Sequence, residues 1–389
     1  MSRTRLALLL FLVVAPGALA APGVHAAEPP LAAVTVVGPP AVVYSARRDG
    51  CDGHDMPDAP LRAFRDPDGG MIAFGLHWRN RALRGPDLGG LRIDCRVVLD
   101  SGGDPDPARY ADRRWIAATW TADGRRVAAL LHHEYQGNTH PGRCPAGQYM
   151  ACWYNTVTAA ASADGGLSFQ LAAPPAVVAA APFRQEVGQG RHRGFFNPSN
   201  IVTEGRFHYM LAHTTGWEGQ PNGVCLFRTA DPFDPGSWRA FDGAGFTAAF
   251  PDPYRTRPGS PRCRPVGPFP APVGAVVRHR ASGAWIAVFQ ASKGGPFPEP
   301  GFYATSSRDL LTWDVPRLVL PGKTLYDDPC GAGSLIAYPS LIDREARGRN
   351  FDDVGDRAEL TYATLKVEGC AITSERDLVR RTVALKVWP

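Results

Sequence analysis

Ser162-Ala163-Asp164-Gly165-Gly166-Leu167-Ser168-Phe169 follows a strand-forming run, Asn155 to Ala161, and ends it with a small residue, an Asp, two glycines and an aromatic. Ser and Asp side chains accept backbone N–H groups a few residues on, so the segment closes a tight turn while the aromatic packs behind it. The same pattern returns as Thr229-Ala230-Asp231 running to Trp238, after Val224 to Arg228. It returns again as Ser307-Arg308-Asp309-Leu310-Leu311-Thr312-Trp313, after Phe302 to Ser306. The copies start about 67 and about 78 residues apart, too far for most helical repeats and suited to a four-stranded unit with decorated loops.

Reading outward from these corners gives five groups of strands. The first holds Leu61 to Arg65, Met71 to Leu76 and Ile93 to Leu99. The second holds Trp115 to Thr121, Arg126 to His133 and Asn155 to Ala161. The third holds Phe196 to Thr203, Phe207 to His213, Val224 to Thr229 and Trp238 to Phe241. The fourth holds Gly274 to His279, Trp285 to Gln290, Gly301 to Ser306 and Trp313 to Leu318. The fifth holds Ser334 to Leu341, Glu359 to Leu365 and Val379 to Val387. Groups of roughly 60 to 70 residues fill the chain from residue 27 to 389 as one domain. The pattern predicts an all-β, five-bladed β-propeller with about four antiparallel strands per blade. An initial extended stretch, Ala33 to Ala46, is free to pair in the last blade and close the ring. A β-sandwich would need shorter, more even spacing between turns.

The first residues, Met1-Ser2-Arg3-Thr4-Arg5, then the apolar run Leu6 to Ala15 and small residues to Ala26, read as a signal peptide over 1–26. No later stretch is apolar enough to span a bilayer, so a soluble secreted or periplasmic protein is expected. Eight cysteines follow the leader, and an even count in an exported chain points to disulfides. Neighbours in sequence are the expected partners: 51 with 95, 144 with 152, 225 with 263 and 330 with 370, one of the 105 connectivities that eight cysteines allow. A cysteine zinc site has no support, because no Cys-x-x-Cys pair occurs. The formal charge of +5 includes the leader's Arg3 and Arg5 and forms no basic run, which argues against a nucleic-acid partner. A monomer without a membrane partner is expected.

The first corner resembles the Asp-box of the sialidases, Ser-x-Asp-x-Gly-x-Ser/Thr-Trp/Phe. The third, with Leu311-Thr312-Trp313, resembles the strand ending of five-bladed glycoside hydrolases of the arabinanase, xylosidase and fructosidase type. The resemblance implies a carbohydrate substrate and acidic residues from different blades converging on a central funnel: one activates water or attacks, one protonates the leaving oxygen, one tunes the others. Asp58, ahead of the first inner strand, is similar in position to the base or nucleophile. The alternative is a loop carboxylate among Asp52, Asp55 and Asp58. In Leu131-His132-His133-Glu134-Tyr135, an apolar strand delivers titratable groups to its end, where burial raises a carboxyl pKa toward that of a general acid. Glu134 is therefore the expected acid, and His133 either orients it or binds a sugar hydroxyl of the substrate; a satisfied strand-end cluster is the plainer reading.

The segment Arg193-Gly194-Phe195-Phe196-Asn197-Pro198-Ser199-Asn200 offers Asn197 and Asn200 as two-way hydrogen-bonders for sugar hydroxyls, unless they only form turns. Trp217 is a candidate stacking platform. Arg62 and Arg193 are candidates for substrate binding, although the Arg-Ile-Pro entry motif of the sialidases appears only as Arg62-Ala63-Phe64. Tyr326-Asp327-Asp328-Pro329-Cys330 enters the fifth group much as Asp58 enters the first, making Asp328 a third carboxylate, with Tyr338 beyond it as a binding residue. Asp327 and Asp328 would also suit a structural calcium ion; no other metal or cofactor is implied. The expected function is glycoside hydrolysis with Glu134 as acid and Asp58 or Asp328 as base or nucleophile. The alternative is a lectin-like propeller that binds glycans without cleaving them.

Overall fold

The computed structural model describes residues 32–144, 147–172, 176–185, 190–257 and 259–388, so the expected leader lies outside them. The chain is an all-β propeller. Each of the five expected groups pairs internally as antiparallel neighbours. A short parallel contact between Arg193–Phe196 and Trp153–Ser162 joins the second and third groups, so hydrogen bonding yields sheets of 4, 11, 5 and 5 strands.

The inner and middle strands are buried on both faces because each sheet packs against two others, whereas outer strands such as Arg92–Val97 and Arg317–Pro321 are partly open to solvent. Phe64, Ile72, Phe74, Ile116 and Leu131 form a core between the first and second groups. Leu130, Val157, Phe195, Phe227 and Trp238 do so between the second and third. Leu226 with Val276, Val277 with Leu360, and Leu61 with Leu378 continue the series until the fifth group meets the first. A layered ring of this kind leaves no open apolar face. Its last edge is sealed as the sequence predicts: Ala32–Val36 and Ala41–Ser45 both pair with the long final strand, Ala371–Val387.

The repeated corners act through their carboxylates. Asp164 Oδ1 accepts the N–H groups of Leu167 and Ser168, and Ser162 Oγ accepts that of Gly166. Asp309 Oδ1 likewise accepts from Leu311 and Thr312, and Asp231 Oδ1 from Phe233. A fourth corner of the same chemistry, Thr121-Ala122-Asp123-Gly124, turns the chain between the first two strands of the second group: Asp123 Oδ1 accepts from Arg125 and Arg126. All four disulfides join the expected sequence neighbours, Cys51–Cys95, Cys144–Cys152, Cys225–Cys263 and Cys330–Cys370.

One expected strand is interrupted. Phe196 to Thr203 splits into Arg193–Phe196 and Val202–Glu204, because Asn197 takes a positive φ of 33° and Pro198 has no N–H to donate.

Arg62 marks the axis. Its Nε donates to Ala117 O at 2.6 Å, Nη1 to Gly274 O at 2.5 Å and Nη2 to Pro198 O at 3.3 Å, one carbonyl from each of the next three groups. Ser340 of the fifth group donates to Leu61 O at 2.9 Å. Gly274 belongs there because a Cβ would lie 2.0 Å from Pro339 O. Burial lowers the Arg62 pKa to about 9, which leaves the guanidinium charged at neutral pH.

Candidate functional site

Above this hub, at the starts of the inner strands, lies a cavity of about 1190 Å³. Asp58, Arg113, Trp115 and Tyr338 reach it from inner strands, Asn197 from the break after Arg193–Phe196, and His77, His132, Glu134 and His213 from positions at or just past the ends of the strands beside them.

Strand alternation decides which side chains enter. In Val127–Gln136, His132, Glu134 and Gln136 share one face and line the cavity, whereas His133 and Tyr135 point the opposite way into the protein. His133 is therefore not the partner of Glu134. It is fully buried against Tyr110, and burial holds its pKa well below the usual imidazole value.

His132 takes the role expected of His133. Its Nε2 lies 3.0 Å from Glu134 Oε1, and its Nδ1 accepts the Asn197 N–H at 3.1 Å. An imidazole nitrogen that accepts a backbone N–H carries no proton, so Nε2 is the donor to Glu134. Gln136 Nε2 donates to the other carboxylate oxygen at 2.8 Å, and Arg113 Nη1 donates to Gln136 Oε1.

Asp58 is held as firmly. Trp115 Nε1 donates to Oδ2 at 3.2 Å, the Tyr338 hydroxyl to Oδ1 at 3.1 Å, and Arg376 Nη1 also to Oδ1. His77 Nε2 stands 3.6 Å from Oδ2. Burial lowers the His77 pKa against the pull of Asp58, so the ring faces Asp58 as neutral imidazole at neutral pH. Burial, and then the Asp58 charge, push the Tyr338 hydroxyl well above its usual range, which keeps it a donor. Rings complete the wall: Trp153 stacks on Tyr149 at 4.9 Å and meets His192 at 5.0 Å, while Trp78 lies 5.5 Å from His77.

The remaining expectations separate cleanly. Asn197 and Tyr338 line the cavity with Asp58 and Glu134; Asp328, Arg62, Arg193, Asn200 and Trp217 do not. Asp328 is exposed, and its Oδ1 accepts the Cys330 N–H at 3.0 Å, a turn rather than a site. Asp327 closes the same loop by accepting from Thr324. Asn200 clasps the next group, exchanging hydrogen bonds with the backbone of Val276 at 2.7 and 2.8 Å. Arg193 Nη1 donates to Gly216 O, and Trp217 packs on Phe195 in the core.

Sequence reasoning missed Arg376, which arrives from the final strand, and passed over His77, Trp78 and Trp115. Trp115 carried a usable signal: it is the third residue of an inner strand whose expected start fell on it, so it had to sit at the funnel mouth. Among the described residues no group of three or more His, Cys, Asp or Glu is placed to hold a metal, and no helix is long and apolar enough to cross a membrane.

No protein-family profile matches the sequence, and no curated protein matches it. Solved structures share its fold. One described as a glycoside hydrolase is 11% identical, with 90% of each chain covered and a TM-score of 0.50. The α-L-arabinanase of Cellvibrio cellulosa is 11% identical over 86% of this chain and 94% of its own, with a TM-score of 0.48. A protein of unknown function from Dyadobacter fermentans is 10% identical over 91% and 99%, with a TM-score of 0.47. The chain is thus similar in fold to a solved glycoside hydrolase.

Proposed function

We propose that the protein is an exported glycoside hydrolase whose reaction takes place in the cavity above Arg62. The observation that carries this reading is that Asp58 and Glu134, on strands of different groups, face one aromatic-walled cavity, each oxygen pair gripped by fixed donors. Hydrolysis of a glycosidic bond needs two carboxyl groups in different roles on either side of the scissile bond. Glu134 in its acid form gives a proton to the leaving oxygen as the C–O bond breaks. Asp58 acts on the opposite side as base or nucleophile, and water supplies the oxygen of the new hydroxyl. Trp78, Trp115, Trp153 and Tyr149 give sugar rings apolar faces to lie on.

Glycan binding without cleavage is the second reading. It is favoured by the absence of a third carboxylate from the cavity lining among the described residues.

Reducing-sugar release by the oxidised protein from a panel of polysaccharides decides between them, with Glu134→Gln and Asp58→Asn as paired controls. Release by the native chain that falls about 10²-fold or more in either variant establishes the hydrolase. Binding without release, equal in all three proteins, establishes the lectin.

A further inference from the structure

The cavity has more positive charge than its two carboxylates use. Arg113, Arg191 and Arg376 line it beside Asp58 and Glu134. Arg376 is spent on Asp58. Arg113 makes its hydrogen bond to the neutral Gln136, and Arg191 is exposed to the cavity mouth; among the described residues neither has an ion-pair partner. The four histidines of the lining do not balance the account with negative charge, and burial holds His77, His192 and His213 neutral. Two residues on, Arg193 lies outside the lining with its Nη1 on Gly216 O, and burial and then the Arg191 charge lower its pKa. Unopposed like charges raise the energy of the free protein, and an anion arriving there relieves it.

The wall between the two arginines has the shape of a sugar platform. Tyr149, Trp153 and His192 form a continuous row of rings, with Arg113 reached through Gln136, which lies 3.4 Å from the Tyr149 hydroxyl, and Arg191 next to His192. We propose that this wall binds an acidic glycan through a uronic acid residue whose ring lies on Trp153 and whose carboxylate is taken by the guanidinium group of Arg191, while Arg113 at the other end of the row takes the carboxylate of a neighbouring uronic acid. A planar guanidinium fork matches a carboxylate in two parallel hydrogen bonds, which the methyl ester of the same acid cannot make as an anion. The proposal rests on the reading of the cavity as a glycan site, and it specifies the substrate class.

The test compares binding of uronic acid oligosaccharides (galacturonate, glucuronate, mannuronate and guluronate) with that of their methyl esters, by calorimetry and tryptophan fluorescence on the native, oxidised chain. The expected result is that at least one acid binds roughly tenfold or more tighter than its own ester, the size of one lost charge-assisted contact. Arg191→Gln, an exposed position where folding is not at stake, is expected to remove most of that preference by weakening acid binding more than ester binding. Arg113→Lys, which keeps the charge and loses the fork, is expected to reduce it. Equal binding of every acid and ester, binding of none of the acids, or a preference that survives in Arg191→Gln combined with Arg113→Lys overturns the proposal. So does tighter binding of a sulfated oligosaccharide than of any carboxylated one. Reducing ends measured in the same samples keep the two readings apart: acid preference without cleavage retains the anionic site and removes the hydrolase.

Discussion

Arg376 Nη1 is hydrogen-bonded to Asp58 Oδ1 across 318 residues of sequence, so the strand Ala371–Val387 fixes a carboxylate at the start of the first group's inner strand, Pro57–Arg65. The same nitrogen reaches Pro57 O at 3.3 Å, which ties the strand entrance as well as the side chain. Ring closure and site geometry are therefore one structural event. In the hydrolase reading, Arg376→Gln leaves Asp58 with Trp115 and Tyr338 but without its cation. We expect kcat to fall about 10²-fold with KM within about threefold, since misplacement of a catalytic group acts on the transition state. A variant that changes KM alone would show that Arg376 contacts substrate and does not position Asp58.

His132 and His133 make opposite predictions. His132→Leu removes the N–H donor to Glu134, and hydrolysis is expected to drop at least about tenfold with the fold intact. His133→Gln places a polar amide where a buried ring packs on Tyr110; it is expected to cost about 1–3 kcal/mol in urea titration and to leave activity of the folded protein unchanged. The reverse pattern would mean that strand alternation does not govern the site.

That pair also shows what was legible in the sequence. The corners around Asp164, Asp231 and Asp309 announce themselves because each is local: the carboxylate bonds N–H groups two to four residues away, and sequence spacing is enough to see it. Disulfide partners were legible for the related reason that each bridge joins neighbours along the chain. That Asp58 and Glu134 share one cavity follows from where both sit, at places where strands meet loops. Asp328 failed because a carboxylate before an inner strand can equally cap its own turn, and only the path of the loop distinguishes the two. His133 was preferred to His132 by adjacency to Glu134, although a period of two places neighbours on opposite faces. Arg376 could not be found, since nothing within its strand says which carboxylate, 318 residues away, it will meet.

Arg62, expected to bind substrate, is predicted instead to hold the blades together. Arg62→Met fills much of the volume but leaves the carbonyls of Ala117, Pro198 and Gly274 without their donor. Buried acceptors left unpaired cost about 1–3 kcal/mol each, so for three a loss of roughly 3–9 kcal/mol is expected from the denaturant midpoint. A loss below about 1 kcal/mol would show that water reaches the axis and replaces the guanidinium.

The Cys51–Cys95 bridge closes a 44-residue span that includes Asp55 and Asp58. Asp55 is buried and paired with Arg81 at 2.6 Å, and its Oδ2 accepts the N–H of Cys51 at 2.8 Å, so the bridge anchors the loop leading into the site. Replacing both cysteines by alanine is expected to cost about 4 kcal/mol by the loop-entropy relation. It should also lower activity at temperatures where the fold persists, because the Asp58 entrance loosens. Unchanged kcat in that variant would confine the bridge to stability.

Acid stability turns on histidines that the fold keeps neutral. Burial, helped by His192, lowers the His213 pKa from its ordinary 6.5 to about 4. Above pH 6.5 the ring is neutral in both folded and unfolded chains and contributes no pH dependence. Between pH 6.5 and 4 the unfolded chain takes up a proton that the folded chain refuses, so stability falls as the pH falls, by at most about 3 kcal/mol for this group. His77, His192 and His208 are lowered by burial too and act with the same sign. Asp164, lowered to about 2 in the folded chain by Ser168 and Ser162 against the opposing effect of burial, adds a further loss only below its ordinary value of 3.8. The thermal midpoint should therefore be flat above pH 6.5 and decline steadily from there to pH 4. His213→Gln, with no group left to titrate at that position, should show a shallower decline than the native protein over that window; equal slopes would assign the acid lability to the other rings.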